Sequence, residues 1–278
     1  MKSPIPAEHL NSLALIPRSE GQFLVCFRDQ EWTFDYYLNK KNSNTLLVFL
    51  PSAAVNGERI LPAFRRWRWS LELEGYDVLC VADPAMRLSE KLLGAWCVGT
   101  RNSWPLPLIM NHIAQLKATL GYTDIVFCGS SLGGFMALQM GILAKQMGLD
   151  LGDGGVYAEN PQVNLMTYYQ GPADLIAEVG FGVPNRNMVA REFEKRFNVT
   201  QLMFETGLAP NGYLVVKESD EHHFNNHLPQ LKDALEQLGA TDFEIEVIPK
   251  EVDDTGHSAL TLPEMMTRVE RLLSRNAA

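Results

Sequence analysis

Four short runs constrain the fold most: TLLVFL (45–50), YDVLCVAD (76–83), DIVFCG (124–129) and GVYAEN (155–160) are apolar with little alternation. A strand with one wet face alternates apolar and polar residues, so continuous runs read as strands buried on both faces of a parallel sheet. Between and after them, residues 61–73, 107–120 and 132–148 carry apolar side chains at helical spacing. Two more strands, GYLVVKES (212–219) and FEIEVIP (243–249), are separated by a helix at 227–238, and a final helix covers 262–273. This rhythm predicts an α/β fold with a mostly parallel, doubly wound sheet. At the front, QFLVCFR and EWTFDYYL, joined by a short turn at Asp29-Gln30, predict an antiparallel hairpin.

The rhythm breaks across residues 161–210, which are rich in Asn, Gly and Pro and hold one amphipathic helical pattern at 188–197. A structureless connection that long is rare in a compact domain, so the segment reads as an inserted helical cap. Met188, Val189, Phe193 and Phe197 form an apolar stripe expected to pack over the site. The 278 residues are read as one domain, large enough to need no staples.

Net charge is −9, which argues against nucleic acid as a partner because nothing offsets phosphate repulsion. The four cysteines form no CxxC pair, so a structural zinc is not expected. Cys26, Cys80 and Cys128 lie in apolar strand-like runs and read as buried thiols. No window approaches a membrane span, and prolines interrupt the N-terminal stretch where a signal peptide needs apolar continuity. The expectation is a cytoplasmic protein in a reducing compartment.

GSSLG (129–133) fits G-x-S-x-G and sits between a buried strand and a helix. A serine on so tight a turn has a strained backbone, and its neighbours two residues away must lack bulk. Gly129 and Gly133 supply that room, Gly134 lets the helix approach the sheet, and Ser131 protrudes as a nucleophile. Ser130, in the variable position, reads as supporting.

A serine hydroxyl needs a base to take its proton and a third group to hold the base. On this arrangement the chain order is serine, acid, histidine, which leaves His222, His223, His227 and His257 and sets aside His9 and His112. His257, in DDTGHSAL after the last strand, is the choice. The acid belongs just past GYLVVKES, which gives Asp220, with Glu218, Glu221, Asp253 and Asp254 as alternatives. His223 and His227 have i,i+4 spacing, but no third metal ligand is evident. The Leu132 N–H should serve an oxyanion, joined by an N–H from Ser52 or Ala53; Pro51 has none to give. Trp67 and Trp69 read as helix packing, whereas Trp96 and Trp104 either line a pocket or plug it.

The elbow GSSLGG, the acid loop ESDEHH and the histidine loop GHSAL resemble the α/β-hydrolase superfamily over most of the chain, from about Thr45 onward. PAFRRWRW, ADPAMRLSEKLLGAWCVGT and ENPQVNLMTYY look like a bacterial branch linked to surface polysaccharides and accessory secretion. Members of that branch resemble carbohydrate esterases and O-acetyltransferases. Where the branch usually has a His-Gly or similar pair, this chain has Leu50-Pro51, which leaves the second oxyanion donor open. The resemblance implies a serine hydrolase of small-molecule or carbohydrate esters, without a cofactor. Transfer of the acyl group to a sugar hydroxyl is the alternative; a non-catalytic interaction subunit would have no need of the serine, acid and histidine.

Overall fold

A computed structural model describes residues 7–54, 60–251 and 256–275. The strands are β1 (Glu8–Leu10), β2 (Gly21–Asp29), β3 (Trp32–Lys40), β4 (Thr45–Phe49), β5 (Asp77–Val81), β6 (Asp124–Ser130), β7 (Gly155–Glu159), β8 (Gly212–Lys217) and β9 (Phe243–Ile248). The helices are α1 (Trp69–Glu72), α2 (Pro105–Leu120), α3 (Leu132–Met147), α4 (Gln170–Phe181), α5 (Glu194–Phe197), α6 (Val199–Thr206), α7 (Leu228–Gln237) and α8 (Leu262–Ser274).

One nine-stranded sheet runs in the order β1-β2-β3-β5-β4-β6-β7-β8-β9. The expected hairpin is β2–β3, paired antiparallel from Gly21↔Lys40 to Asp29↔Trp32. β3 is antiparallel to β5, and every pair from β5 to β9 is parallel. Period-two geometry sends alternate side chains to opposite cores. Leu46, Val48, Ile125 and Phe127 join the core containing α2, α3, α6 and α7, while Leu47, Phe49, Val126 and Cys128 join the core sealed by α8. Both faces are covered, which is why these strands lack polar alternation.

Three expectations need correction. Residues 61–73 are not a helix; only the single turn α1 is helical. Arg66 has φ 59, which no right-handed helix accommodates, and its guanidinium reaches the buried Glu159 at 3.4 Å. Residues 188–197 are also not one helix: a tight turn at Arg191–Phe193 leads into one turn, α5. Met188 is exposed, while Phe193 and Phe197 pack against Phe181 of α4, with ring centroids 5.3 and 5.2 Å apart, so their partner is α4. Cys26 is exposed, because β2 alternates and turns Phe23 and Val25 inward instead; Cys80 and Cys128 are buried.

The connection between β7 and β8 is more ordered than expected, since it also holds α4 and α6. Among the described residues no helix is long and apolar enough to cross a membrane.

Candidate active site

The site lies past the carboxyl ends of β6, β7, β8 and β9, where open α/β sheets bind ligands. Ser131 follows β6 directly, with φ 54 and ψ −116, a region L-residues rarely occupy. The backbone around it is closely packed. A Cβ on Gly129 would lie 2.1 Å from the Gly133 carbonyl carbon, and one on Gly133 would lie 2.6 Å from the Pro51 oxygen. Ser131 N–H donates to the Glu159 carbonyl at 2.8 Å and Phe135 N–H donates to the Ser131 carbonyl at 3.0 Å, fixing the turn from both ends. Ser130 ends β6, opposite Glu159 in the ladder.

Leu132 is the first residue of α3, so its N–H has no carbonyl one turn back and points toward the serine end of the helix. The loop carrying Ser52 and Ala53 runs beside it, since Leu50 and Pro51 touch the Gly133 position. Ala54 N–H is already used, donating to Leu93 O at 2.6 Å, and the Ala53 carbonyl accepts from Arg65 at 2.8 Å.

Asp220 is buried and holds two histidines. Its Oδ1 accepts from His223 Nδ1 at 2.8 Å, and its Oδ2 accepts from His257 Nδ1 in a very short contact. Burial pushes the carboxyl up, but the hydrogen bonds and charges of both histidines outweigh it and hold Asp220 well below the usual carboxylate range. The rings of His223 and His257 stack, with centroids 4.5 Å apart. Glu218 accepts from Lys250 N–H and Glu221 pairs with the Lys250 ammonium, so neither faces His257. Asp253 and Asp254 lie outside the described residues.

Ser131 Oγ is not hydrogen-bonded to His257. It accepts from Gln162 Nε2 at 2.9 Å, and the same nitrogen lies 2.8 Å from His223 Nε2. A continuous chain therefore runs Ser131–Gln162–His223–Asp220–His257. Both nitrogens of His223 are occupied, so it has no free atom to act as a base; burial lowers its pKa against the opposing pull of Asp220. His257 has Nδ1 on Asp220, leaving Nε2 for a proton.

Sequence reasoning did not single out His223, Gln162 or Glu159 for these positions. Glu159 is fully buried at the end of β7; its carboxylate receives the Leu260 N–H in a short contact and pairs with Arg66 at 3.4 Å. It thus braces the His257 loop with its side chain and the serine turn with its carbonyl. A carboxylate ending an apolar strand was the available signal.

Asp220, His223 and His257 each offer a ligand atom within 4.8 Å of the others, a spacing that could hold a cation. In the structure the three side chains are joined by hydrogen bonds through Asp220. The i,i+4 pair does not converge: His227 Nδ1 accepts from Val163 N–H at 3.3 Å, and burial with the charges of His223 and His222 pushes it down to about 3. Trp96 is buried, backing the site, and donates its indole N–H to Gln162 Oε1 at 2.9 Å. Trp67 and Trp69 pack partly buried against the α8 core.

No family model matches the chain, and no curated protein matches it in sequence. Solved structures do. A capsule O-acetyltransferase of Neisseria meningitidis serogroup A superposes with TM-score 0.65 at 15% identity, covering 92% of this chain and 95% of that one. An S-formylglutathione hydrolase from Agrobacterium tumefaciens gives TM-score 0.54 at 13% identity over 93% and 94% of the two chains. Brefeldin A esterase, a bacterial homologue of human hormone-sensitive lipase, gives 0.54 at 17% identity over 95% of this chain and 79% of that one. Identities this low speak to architecture, and on that evidence the chain has the α/β-hydrolase fold.

Proposed function

We propose that the protein is a serine esterase that cleaves small carboxylic esters through Ser131, Asp220 and His257. The observation that carries this reading is the hydrogen-bonded chain from the strained serine at the elbow to a histidine held on a buried carboxylate. The folds of the neighbouring esterases support it.

Ser131 Oγ attacks the acyl carbon while His257 Nε2 takes the hydroxyl proton. Asp220, ionised, keeps Nδ1–H in place and stabilises the imidazolium that forms. Leu132 N–H and an N–H from Ser52 or Ala53 receive the oxyanion. The imidazolium then protonates the leaving alcohol, the ester C–O bond breaks, and the acyl group remains on Ser131. His257 next deprotonates an incoming hydroxyl that releases the acyl group. For this transfer His257, whose side chain is 44% exposed, must come within hydrogen-bond reach of Ser131 Oγ, a contact that commonly tightens only when substrate is bound. We read residues 161–210 as the cap of a single domain, since Gln162 and Tyr168 bring that segment against the histidines. The four free thiols suit a reducing, cytoplasmic setting.

The likeness to a capsule O-acetyltransferase over 92% of this chain favours a second reading, with a carbohydrate hydroxyl in place of water. Nitrophenyl esters of rising acyl length, assayed with and without sugar acceptors, test both. Ser131-dependent nitrophenol release is expected; an acylated sugar by mass spectrometry marks transfer. Ser131→Ala should lower turnover by ~10⁴-fold or more while the chain stays folded. Turnover that survives this substitution rejects the reading.

A further inference from the structure

We propose that Gln162 is a catalytic residue, donating from Nε2 to Ser131 Oγ so that the serine's own proton is left for His257, and that Trp96 is the positioning residue that fixes which way this amide faces. The inference rests on reading Ser131 as the nucleophile.

An amide side chain can present either its oxygen or its nitrogen, and its neighbours decide which. Trp96 Nε1 carries a proton and cannot accept, so the atom 2.9 Å from it must be Gln162 Oε1. Nε2 then faces Ser131 Oγ at 2.9 Å and His223 Nε2 at 2.8 Å. His223 Nδ1 donates to Asp220, so its Nε2 carries a lone pair and accepts. Both protons of the amide are used, and the flipped amide would set its oxygen against that lone pair and its nitrogen against the indole N–H. Gln162 and Trp96 are buried at 0% and 3% exposure, so water cannot repair such a mismatch.

The orientation matters to the reaction. Because Ser131 accepts from Gln162, its hydroxyl proton is free for the base. With the amide reversed, Ser131 would donate to Oε1 and His257 would have to break that bond first. As the proton passes to His257, charge grows on Oγ and the Gln162 N–H already faces it. The same N–H faces Oγ when it leaves the acyl carbon in the second half of the reaction. Trp96 and Cys97 both have φ 49, two successive non-glycine residues in the left-handed region. The Cys97 N–H is anchored on Asp83 Oδ2 at 3.0 Å. Strain of this kind persists where surrounding structure over-determines it.

The test uses the full chain, nitrophenyl acetate, and kcat, KM and melting temperature for Trp96→Phe, Gln162→Ala and Gln162→Glu. Trp96→Phe keeps a buried ring but loses the indole N–H. We expect kcat to fall ~10-fold or more in Trp96→Phe and Gln162→Ala, with KM within about twofold. Gln162→Glu should be no faster than Gln162→Ala, because a carboxylate can only accept a hydrogen bond from the serine O–H and so competes with His257 for that proton. Unchanged kcat in Gln162→Ala and Trp96→Phe, or wild-type kcat in Gln162→Glu, overturns the inference. If Trp96→Phe fails to fold, the two Gln162 variants decide it alone. Activity surviving Ser131→Ala overturns the underlying reading as well, whereas a dead Ser131→Ala beside unaffected Gln162 variants overturns this inference only.

Discussion

Around Ser131 the backbone leaves no room to move, whereas around His257 side chains do the holding. The serine turn is gripped by the Gly129–Gly133 approach, by Pro51 and by the Glu159 carbonyl. His257 sits on a loop and depends on Asp220, which in turn is held by His223, itself bonded to Gln162, while Glu159 anchors the loop at Leu260. Steric grip is local and unforgiving. A side-chain network is assembled from distant residues and can be weakened by degrees.

The largest effect should come from cutting the network at its centre. Asp220→Asn removes the charge that stabilises protonated His257, and turnover should fall ~10⁴-fold while the chain stays folded. Steady-state kinetics beside a thermal melt would check it. Full activity in this variant would move the acid elsewhere, to Asp253 or Asp254.

Gly129→Ala attacks the other half. Its Cβ would meet backbone atoms at 2.1 Å, which no rotamer change can relieve, so the cost should be ~3 kcal/mol or more of stability, read by urea unfolding. A neutral result would show that the turn is less confined than the serine's backbone angles imply.

Glu159→Gln sharpens the comparison, because this residue touches both halves. The amide oxygen can still receive Leu260 N–H, but Arg66 loses its charge partner, so stability should drop by ~1–3 kcal/mol. A fall in kcat beyond what the lost stability explains would show that the carboxylate braces the histidine loop, since the main-chain carbonyl that holds the serine turn is unchanged.

The smallest effect concerns pH. Asp220 has a folded pKa below its unfolded value of about 3.9, so its contribution is present above that pH and is lost as pH falls toward the folded value. The wild-type melting temperature should therefore decline more steeply than that of Asp220→Asn between about pH 4 and about pH 2. Parallel curves would show that the paired histidines do not favour the ionised acid.

The same contrast explains what could be read from the sequence. The elbow was legible because steric demand places glycines within a few residues of Ser131. The doubly buried strands were legible because both faces needed apolar side chains. The contact between Asp220 and His257 was reachable from their positions past the ends of strands. Gln162 and Trp96 were not, since their pairing joins residues 66 apart and leaves no local pattern. The helix expected at 61–73 failed because Arg66 adopts a left-handed backbone and reaches Glu159, 93 residues away. α4 was missed because Gly171, Pro172 and Gly180 mask a helix whose Ala173, Ile176 and Ala177 are buried.

The most direct test of the central claim is to label the protein with a fluorophosphonate, digest it and map the adduct by mass spectrometry. One adduct is expected, on Ser131, forming rapidly in the wild type and far more slowly in His257→Ala. An adduct on Ser130, or labelling of Ser131 at the same rate without His257, would contradict it.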